Sequence, residues 1–506
     1  MEKKAKRRKL YLIGVDAAPL WAILELSQKY EMKGFSRFLK GGTLNELEST
    51  LPPVTAAAWP SIYTGLEPKD HGVMDFVYLD RNYVKQLIYY DSKKNPPFWD
   101  KLAKSGVRSL ILTPAMVLTL SDSKNIDMVT GWPLEPKYSS EELRKAAKKF
   151  GFRGEPEIGV DLDKGVVPIA EGSKKYCKSI KARAEMGKYL IKKNDYDLVF
   201  VCFTETDRIQ HYSFNNKNWS DYIHPLYENI SEFIEWVVNY SKKMGEDAEI
   251  MLVSDHGAQP IYDKFLPNAW LIKENYAKLK RDVDNETGPS SKKTQGLNAG
   301  IKDYVVDKAL RWRMRRVVYQ KMPDFVKKMA DRIVEEDRTN MDSKGYLKIS
   351  DEDIDMRQTR AFASVSFGPV GMIWINDGRF AAPGIPSSKR SALKKELMER
   401  IGKLKDREGG RLVEGVFDGG AYYKDSGSFI SPDILFLLRK NYIVDFTYYS
   451  KDTLFMKPEI YRSGDHTMQG IFGVLDSGAH TRRSLIKKKM SVYDIAPLIL
   501  KYFDGQ

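Results

Sequence analysis

Three apolar segments of this chain share one pattern, in which a short run that fits a buried strand is followed within four residues by an acid. Buried strands of this kind are typical of parallel sheets with helices on both faces. The segments are Lys9–Val15 before Asp16, Leu198–Phe203 before Asp207 and His211, and Ile250–Val253 before Asp255 and His256. The carboxyl edge of such a sheet is where α/β folds collect their ligands, although Asp16 alone also fits a helix cap. The pattern predicts an α/β fold with a central, mostly parallel sheet flanked by helices on both faces.

The stretch from Leu51 to Phe76 contains a hydroxyl in an unusual setting. Pro52 and Pro53 cannot continue a helix or pair inside a sheet, and Thr55 follows shortly after them, just before three alanines that favour helix. A threonine at this position fits an N-cap, because its hydroxyl would lie among the unpaired N–H groups of the first turn. The same position suits a hydroxyl nucleophile that attacks a negatively charged phosphorus centre. The residues alone leave both interpretations open.

The composition limits the classes of binding partner and of cysteine-based site that the chain can have. The chain has 506 residues, of which 42% are hydrophobic, and a formal net charge of +14, as in a globular protein that favours anionic partners. Phosphorylated small molecules, nucleotides, nucleic acid and an acidic membrane face all fit this charge. Cys177 and Cys202 are the only cysteines, so the sequence offers neither a disulfide framework nor a cysteine zinc finger.

The first residues resemble a secretion signal in their basic start and apolar continuation. Asp16 interrupts the apolar part, however, and Lys9–Val15 fits a first strand better. No apolar run approaches the roughly 20 residues of a membrane span. The sequence thus predicts a cytoplasmic protein without a transmembrane segment, and it makes no prediction of the oligomeric state.

The character of the chain changes between residues 268 and 349. A polar loop at Asn285–Gly296 precedes a basic, amphipathic segment that breaks near Pro323. We predict that residues 1–267 form the first part of a catalytic α/β core, that residues 268–349 form an inserted basic, largely helical cap, and that residues 350–506 form the second part of the core. A solvated basic helix without a partner is the alternative interpretation of the cap.

The candidates for one site are Asp16, Thr55, Asp207, His211, Asp255, His256 and His466. Carboxylates and imidazoles without thiolates suit a borderline divalent ion, for which zinc and manganese are the first choices. Asp207 and His211 are four residues apart, so one helical turn would place both on one face. Asp255 and His256 are adjacent and require an irregular turn, which Gly257 makes easier.

Five further side chains each have two interpretations. Trp59, Tyr63 and Trp132 fit core packing or, alternatively, stacking on a base or an aryl leaving group. Glu205 fits a carboxylate that orients a metal-bound histidine or, alternatively, a capping residue. His71 fits a structural histidine better than a metal ligand.

The motifs around these residues resemble the alkaline phosphatase superfamily, in its type I phosphodiesterase/nucleotide pyrophosphatase branch. The acid after the first strand is followed in order by PPVTAAAWPSIYTGLEPKDHG, ETDRIQH, SDHG and GDH, which span nearly the whole chain outside the insert. Three other segments, PPFWDKLAKSG, FLPNAWLI and TRAFAS, are similar to archaeal-type predicted phosphohydrolases of this superfamily. His466, in the last motif, is predicted on a glycine-bearing loop.

The resemblance implies an alkaline-phosphatase-like fold with two divalent ions, zinc or manganese. By position, the two sets of ligands would be Asp207, His211 and His466 for one ion, and Asp16, Asp255 and His256 for the other. Thr55, beside the second ion, would attack phosphorus as the nucleophile. The implied activity is the hydrolysis of phosphodiesters or phosphoanhydrides in phosphorylated small molecules or nucleotides.

The sequence differs from the family at one important position. Nucleotide pyrophosphatases carry an asparagine some way after the nucleophile that helps to bind a phosphoryl oxygen, whereas Ala56, Ala57 and Ala58 follow Thr55 here. The backbone N–H of Ala56, the metals or groups elsewhere would take that role. A phosphomonoesterase, phosphomutase or head-group transferase on the same site is the alternative function. A basic protein that binds nucleic acid or membrane is the alternative of another class.

Overall fold

The computed structural model of the chain describes residues 8–163, 165–215, 217–280, 346–365, 368–427, 429–459, 462–476 and 489–504. Its β-strands, in chain order, are β1 (Arg8–Val15), β2 (Thr43–Glu48), β3 (Val77–Leu79), β4 (Lys85–Leu87), β5 (Ser109–Leu112), β6 (Ile126–Val129), β7 (Leu198–Phe203), β8 (Asp247–Val253), β9 (Gly257–Pro260), β10 (Asp263–Phe265), β11 (Leu347–Lys348), β12 (Ala361–Ala363), β13 (Val370–Ile375), β14 (Val413–Asp418), β15 (Ile434–Leu438), β16 (Tyr442–Val444), β17 (Tyr448–Tyr449), β18 (Phe455–Met456), β19 (Gly464–Thr467), β20 (Gln469–Asp476) and β21 (Met490–Ser491).

The α-helices of the same residues are α1 (Leu20–Lys29), α2 (Lys33–Gly41), α3 (Thr55–Thr64), α4 (Pro68–His71), α5 (Phe98–Ala103), α6 (Glu141–Phe150), α7 (Gly159–Asp163), α8 (Ile169–Lys193), α9 (Glu205–Ser213), α10 (Trp219–Met244), α11 (Pro267–Lys273), α12 (Arg390–Gly402), α13 (Gly419–Tyr422) and α14 (Ile495–Phe503). None of these described helices combines the length and the apolar character that a membrane crossing needs.

The main sheet of the described chain has eight strands in the order β21–β2–β20–β8–β1–β7–β5–β6. β1 lies between β7 and β8 and is parallel to both, and β5 is parallel to β6 and β7. β20 is antiparallel to both of its neighbours, β2 and β8. The predicted α/β fold with a central, mostly parallel sheet is therefore confirmed.

The side chains of β1 show why both faces of the sheet need helices. Successive residues of a strand point to opposite faces. Tyr11, Ile13 and Val15 pack into a core with α1, α2, α6 and α8 to α10, whereas Leu10 and Leu12 pack into another with α3, α5 and α14. All five are at most 3% exposed. A strand whose residues from Leu10 to Val15 are all buried thus requires a helical layer on each side, as predicted.

A second sheet lies outside the main one. Its strands are antiparallel in the order β12–β13–β15–β14, and α12 packs on them through Leu393, Leu397 and Ile401. The chain then returns to the main sheet with β20 and β21. The division into residues 1–267, 268–349 and 350–506 stays a prediction, and residues 281–345 of the predicted cap lie outside the described residues.

Candidate active site

Three parallel strands deliver polar residues to one edge of the main sheet. β1 ends directly before Asp16, β7 leads into α9 with Asp207 and His211, and β8 ends two residues before Asp255. Because β7 and β8 flank β1 as parallel neighbours, these residues come together at the carboxyl edge. All four are buried.

His466 reaches the same edge from much later in the sequence. It lies on β19, which pairs with β9, so that His466 is opposite Ala258; the prediction of a loop was therefore wrong. β19 approaches α9 closely at Gly464, where an added Cβ would lie 2.2 Å from the carbonyl oxygen of Gln210. Only glycine permits this approach, which places His466 beside His211.

Asp207, His211 and His466 form the first of two buried groups, and one potential ligand atom from each lies within 4.8 Å of the others. Asp207 Oδ1 is 3.4 Å from His211 Nε2 and 3.2 Å from His466 Nε2. The two Nε2 atoms are 3.3 Å apart. The carboxylate and both rings thus converge on one small volume.

Asp16, Asp255 and His256 form the second group under the same 4.8 Å limit. His256 Nε2 is 3.2 Å from Asp255 Oδ2 and 3.7 Å from Asp16 Oδ1. All three residues are fully buried. Gly257 lies so close to β20 that an added Cβ would be 2.1 Å from the carbonyl oxygen of Gln469. The structure thus brings the six predicted ligands together as two sets of three.

The three imidazoles share one hydrogen-bond arrangement. Nδ1 lies 2.9 Å from the carbonyl oxygen of Gly464 in His211, 3.1 Å from that of Gly257 in His256 and 2.9 Å from that of Pro53 in His466. A carbonyl oxygen only accepts, so Nδ1 carries the hydrogen and Nε2 presents its lone pair to the carboxylates. A neutral imidazole held in this tautomer is the form in which histidine binds a metal.

Three carboxyl oxygens of the groups have no hydrogen-bond partner among the described residues: Asp16 Oδ1, Asp207 Oδ1 and Asp255 Oδ2. Each of them faces a histidine Nε2. Buried anionic oxygens and imidazole lone pairs repel one another when they face each other, unless a positive charge lies between them. The donor set in both groups therefore fits a divalent cation.

The pKa values of the groups reflect the same crowding of charge. Burial, followed by the charge of Asp255, raises the pKa of Asp16 well above its ordinary value, and burial raises the pKa of Asp255 to about 7. Burial lowers the pKa of His256 well below its ordinary value. Although burial acts in the opposite direction, the neighbouring His211 and His466 hold the pKa of Asp207 well below its usual range. The carboxylates of Asp16 and Asp255 in the second group thus repel each other unless a cation binds between them.

Thr55 begins α3 with its hydroxyl at the edge of the second group. Thr55 Oγ1 is 3.2 Å from His256 Nε2, and the residue is 2% exposed. Val54 occupies the N-cap position, so the N-cap interpretation of Thr55 is wrong. The helix simply starts one residue earlier, since Ala57 and Ala58 donate their N–H groups to Val54 O at 3.0 and 2.9 Å.

Ala56 follows Thr55 in the first turn of α3. The N–H groups of a first helical turn have no acceptor inside the helix, and the positive end of the helix dipole lies there. The position suits a donor to an anionic oxygen, but the role of the Ala56 backbone stays a prediction.

Two residues that the sequence analysis did not assign to the site hold its carboxylates. Trp59 Nε1 donates to Asp16 Oδ2 at 3.0 Å, and Arg208 Nη1 donates to Asp207 Oδ2 at 2.9 Å. Trp59 lies one helical turn after Thr55, so α3 presents both side chains to the second group. That spacing of four was the available signal for Trp59.

The remaining aromatic candidates and His71 have simpler surroundings. Tyr63, like Trp59, is fully buried, in agreement with core packing. Trp132 is half-buried and covers Arg208, whose guanidinium carbon is 4.1 Å from the ring centroid. His71 lies outside both groups, with Nε2 3.0 Å from Ser61 Oγ, and burial lowers its pKa to about 3.

Glu205 binds an arginine instead of a histidine. Its two carboxylate oxygens accept hydrogen bonds from Arg183 at 2.8 and 2.9 Å, and both side chains are at most 1% exposed. The interpretation of Glu205 as a carboxylate that orients a metal-bound histidine was wrong, because the histidines of both groups use backbone carbonyls at Nδ1. Glu205 instead forms a buried ion pair between α9 and α8.

We expect the single variants Arg183→Met and Glu205→Met to be less stable by about 3–5 kcal/mol, since each leaves one buried charge without its partner. The double variant should recover most of that loss, because it removes both charges. The thermal unfolding midpoint measures the effect. Lys175→Met is the control in α8, since it breaks an exposed pair with Glu171 and should change stability by less than about 1 kcal/mol. Single variants as stable as this control would contradict the argument.

Two solved structures align with nearly the whole of this chain. Phosphonoacetate hydrolase from Sinorhizobium meliloti 1021, in complex with phosphonoformate, is 12% identical in sequence, with a TM-score of 0.56 over 98% of this chain and 96% of that one. Murine ectonucleotide pyrophosphatase/phosphodiesterase 5, in an inactive form with AMP, is 12% identical, with a TM-score of 0.46 over 98% and 95%. The first similarity supports the fold. No curated protein sequence matches the chain significantly.

The described fold, a central mostly parallel sheet with helices on both faces, is similar to that of this phosphonoacetate hydrolase. A family model described as type I phosphodiesterase/nucleotide pyrophosphatase matches residues 10–377. Because this match covers more than half of the 506 residues, the chain belongs to that family. The predicted enzyme class, a hydrolase of phosphoric ester bonds, is thereby confirmed, and the two buried groups are candidate sites for the metals on which the family depends.

Proposed function

We propose that the protein is a metal-dependent phosphodiesterase or nucleotide-pyrophosphatase-like hydrolase, with Thr55 as nucleophile and two divalent ions, zinc or manganese. The observation that carries this proposal is the place of Thr55 Oγ1, at the amino end of α3 and 3.2 Å from His256 Nε2. The hydroxyl adjoins both a helix N-terminus and a group of potential metal ligands. The proposed ligand sets are Asp207, His211 and His466 for one ion and Asp16, Asp255 and His256 for the other.

When bound, the ions would lower the pKa of the Thr55 hydroxyl and neutralise charge on the phosphoryl oxygens. Thr55 Oγ1 attacks phosphorus in line with the leaving group, which departs as an alcohol or phosphate and takes up the hydroxyl proton. The Ala56 N–H donates to a phosphoryl oxygen as negative charge develops there. Water then attacks the phosphothreonine from the vacated side, which releases the phosphoric product and restores the Thr55 hydroxyl.

Phosphorylated small molecules or nucleotides are the proposed substrates. The formal net charge of +14 supports an anionic substrate. In this proposal, the insert at residues 268–349 and the loops around the site select among such substrates.

Arg462 favours a second candidate, a phosphomonoesterase, phosphomutase or head-group transferase on the same site. Its Nη2 atom is 3.5 Å from His211 Nδ1 and 3.4 Å from Asp465 Oδ2, and its side chain is 36% exposed. A partly exposed guanidinium beside the first group suits the additional negative charge of a terminal phosphate. Arg462 lies far from Thr55 in the chain, so proximity in the sequence does not connect the two residues.

We expect zinc- or manganese-loaded protein to hydrolyse bis(p-nitrophenyl) phosphate faster than p-nitrophenyl phosphate, and EDTA to abolish both activities. Initial rates with the two substrates, with and without chelator, make the measurement. A dominant monoester activity that falls in Arg462→Met would replace the diesterase by the second candidate. Metal-loaded protein that cleaves neither substrate, and that still binds nucleic acid in a salt-dependent way after EDTA, would favour the nucleic-acid-binding alternative.

A further inference from the structure

Each of the three carboxylates at the site has one oxygen that accepts a hydrogen bond and one oxygen that accepts none from the described residues. Trp59 Nε1 holds Asp16 Oδ2 at 3.0 Å, Arg208 Nη1 holds Asp207 Oδ2 at 2.9 Å, and the Ala17 N–H holds Asp255 Oδ1 at 3.2 Å. The other oxygen of each carboxylate has no hydrogen-bond partner among the described residues and faces a histidine Nε2. Each acid therefore offers a cation one oxygen and not two.

The number of oxygens that a carboxylate offers affects which ion a site prefers. Zinc in a catalytic site takes three protein ligands and keeps a fourth position open, whereas harder ions such as manganese, magnesium and calcium prefer six or more oxygen-rich contacts. With one oxygen per acid and one nitrogen per imidazole, each group supplies three donor atoms. A carboxylate that turned to bind through both oxygens would raise that number and favour the higher coordination.

Arg208 is the charged donor among these three, and its surroundings hold it firmly. Arg208 Nε donates to Glu155 Oε1 at 3.0 Å, and the ring of Trp132 covers the guanidinium at 4.1 Å. Glu155 has a side chain only 4% exposed and accepts a second hydrogen bond from Thr204 Oγ1. A planar guanidinium fixed by a buried carboxylate, an aromatic face and its bond to Asp207 cannot swing away, so Asp207 Oδ2 stays occupied.

We propose that Arg208 is a positioning residue that restricts Asp207 to ligation through one oxygen and thereby gives the first group its preference for a four-coordinate ion such as zinc over a six-coordinate ion such as manganese. The inference rests on the proposed function in one respect, the binding of a divalent ion by Asp207, His211 and His466. Arg208 touches no reacting atom in this role. It acts through the orientation of Asp207 alone.

The test measures ion binding to metal-free protein, without any substrate. Wild type, Arg208→Met and the control Arg144→Met, an exposed arginine on α6, are each titrated with zinc, manganese and cobalt(II) alone. Methionine replaces the aliphatic part of the side chain and removes every donor. Four-coordinate cobalt(II) absorbs visible light more strongly than six-coordinate cobalt(II), so the absorption reports coordination number directly. Loss of the arginine charge affects the binding of both ions alike. The ratio of the zinc and manganese Kd values therefore reports the orientation of Asp207 separately from the charge of Arg208.

We expect Arg208→Met to lower the preference for zinc over manganese by about tenfold or more and to weaken the cobalt absorption, while Arg144→Met behaves as wild type. Glu155→Gln, which keeps its shape but loses the charge that holds Arg208 Nε, should shift both readouts in the same direction by a smaller factor, and it decides the question if Arg208→Met does not fold. Unchanged preference and unchanged absorption in these variants would overturn the inference alone. Failure of wild type to bind any of the three ions would overturn the proposed function as well.

Discussion

We expect Thr55→Ala to lower kcat for the diester by about 10⁴-fold or more, because it removes the atom that attacks phosphorus while leaving both ligand groups in place. Thr55→Ser should keep substantial activity, since it retains a hydroxyl at the start of α3. The measurement is the initial rate with bis(p-nitrophenyl) phosphate at saturating zinc or manganese. Metal content, measured in parallel, should equal that of wild type.

Thr64→Ala is the matched control for this experiment. Thr64 ends the same helix, and its hydroxyl donates to the carbonyl oxygen of Pro60 at 2.7 Å, outside both ligand groups. Its loss should leave kcat within about twofold and lower stability by only about 1 kcal/mol. If Thr55→Ala keeps the wild-type rate, the covalent mechanism is wrong and the hydrolytic water must attack phosphorus directly.

The second large effect concerns Asp255, for which we expect opposite changes in activity and in the stability of the metal-free protein. Asp255→Asn should abolish measurable turnover, because it replaces a proposed anionic ligand by a neutral amide. The metal-free variant should nevertheless be more stable than metal-free wild type at pH 8. The buried Asp255 and Asp16 carboxylates repel each other when no cation lies between them.

The pH dependence of that gain follows from the pKa of Asp255. Burial raises it from 3.8 to about 7 in the folded protein, so the folded state binds the proton more tightly and wild type loses stability as the pH rises through this interval. The interval corresponds to about 4 kcal/mol at most. The stabilisation by Asp255→Asn should therefore be larger at pH 8 than at pH 5, as measured by thermal unfolding in EDTA. A variant that is less stable than wild type at pH 8 would contradict the idea of mutual repulsion.

The two groups of candidate metal ligands were accessible to sequence reasoning because most of their positions follow from short-range rules. Asp16 and Asp255 each come within two residues of the end of an apolar strand, and parallel neighbours must end at the same edge. Asp207 and His211 are one helical turn apart, which local spacing alone predicts. The division of the six candidates into two sets came from the resemblance of the motifs to the type I phosphodiesterase/nucleotide pyrophosphatase family.

What sequence reasoning missed depends on pairing between distant segments. His466 lies on β19 because that strand meets β9, some two hundred residues earlier, and the four residues of β19 carry no strand pattern of their own. Trp59 reaches Asp16 across 43 positions, and a buried tryptophan looks the same in sequence whether or not its indole N–H has a partner at the site. The separate antiparallel sheet of β12 to β15 was likewise not predicted, because the residues of a strand do not indicate which sheet the strand joins.

The place of β20 in the main sheet has a consequence for how a ribosome can make this protein. β20 lies between β2 and β8, yet it leaves the ribosome long after both, together with His466 just ahead of it. Until then β8 presents an unpaired apolar edge, which a nascent chain must shield by transient contacts or with chaperones. A partly synthesised chain therefore has an incomplete main sheet, and its first group of candidate ligands lacks His466. We expect ribosome-stalled chains that stop before β19 to aggregate and to be catalytically inactive.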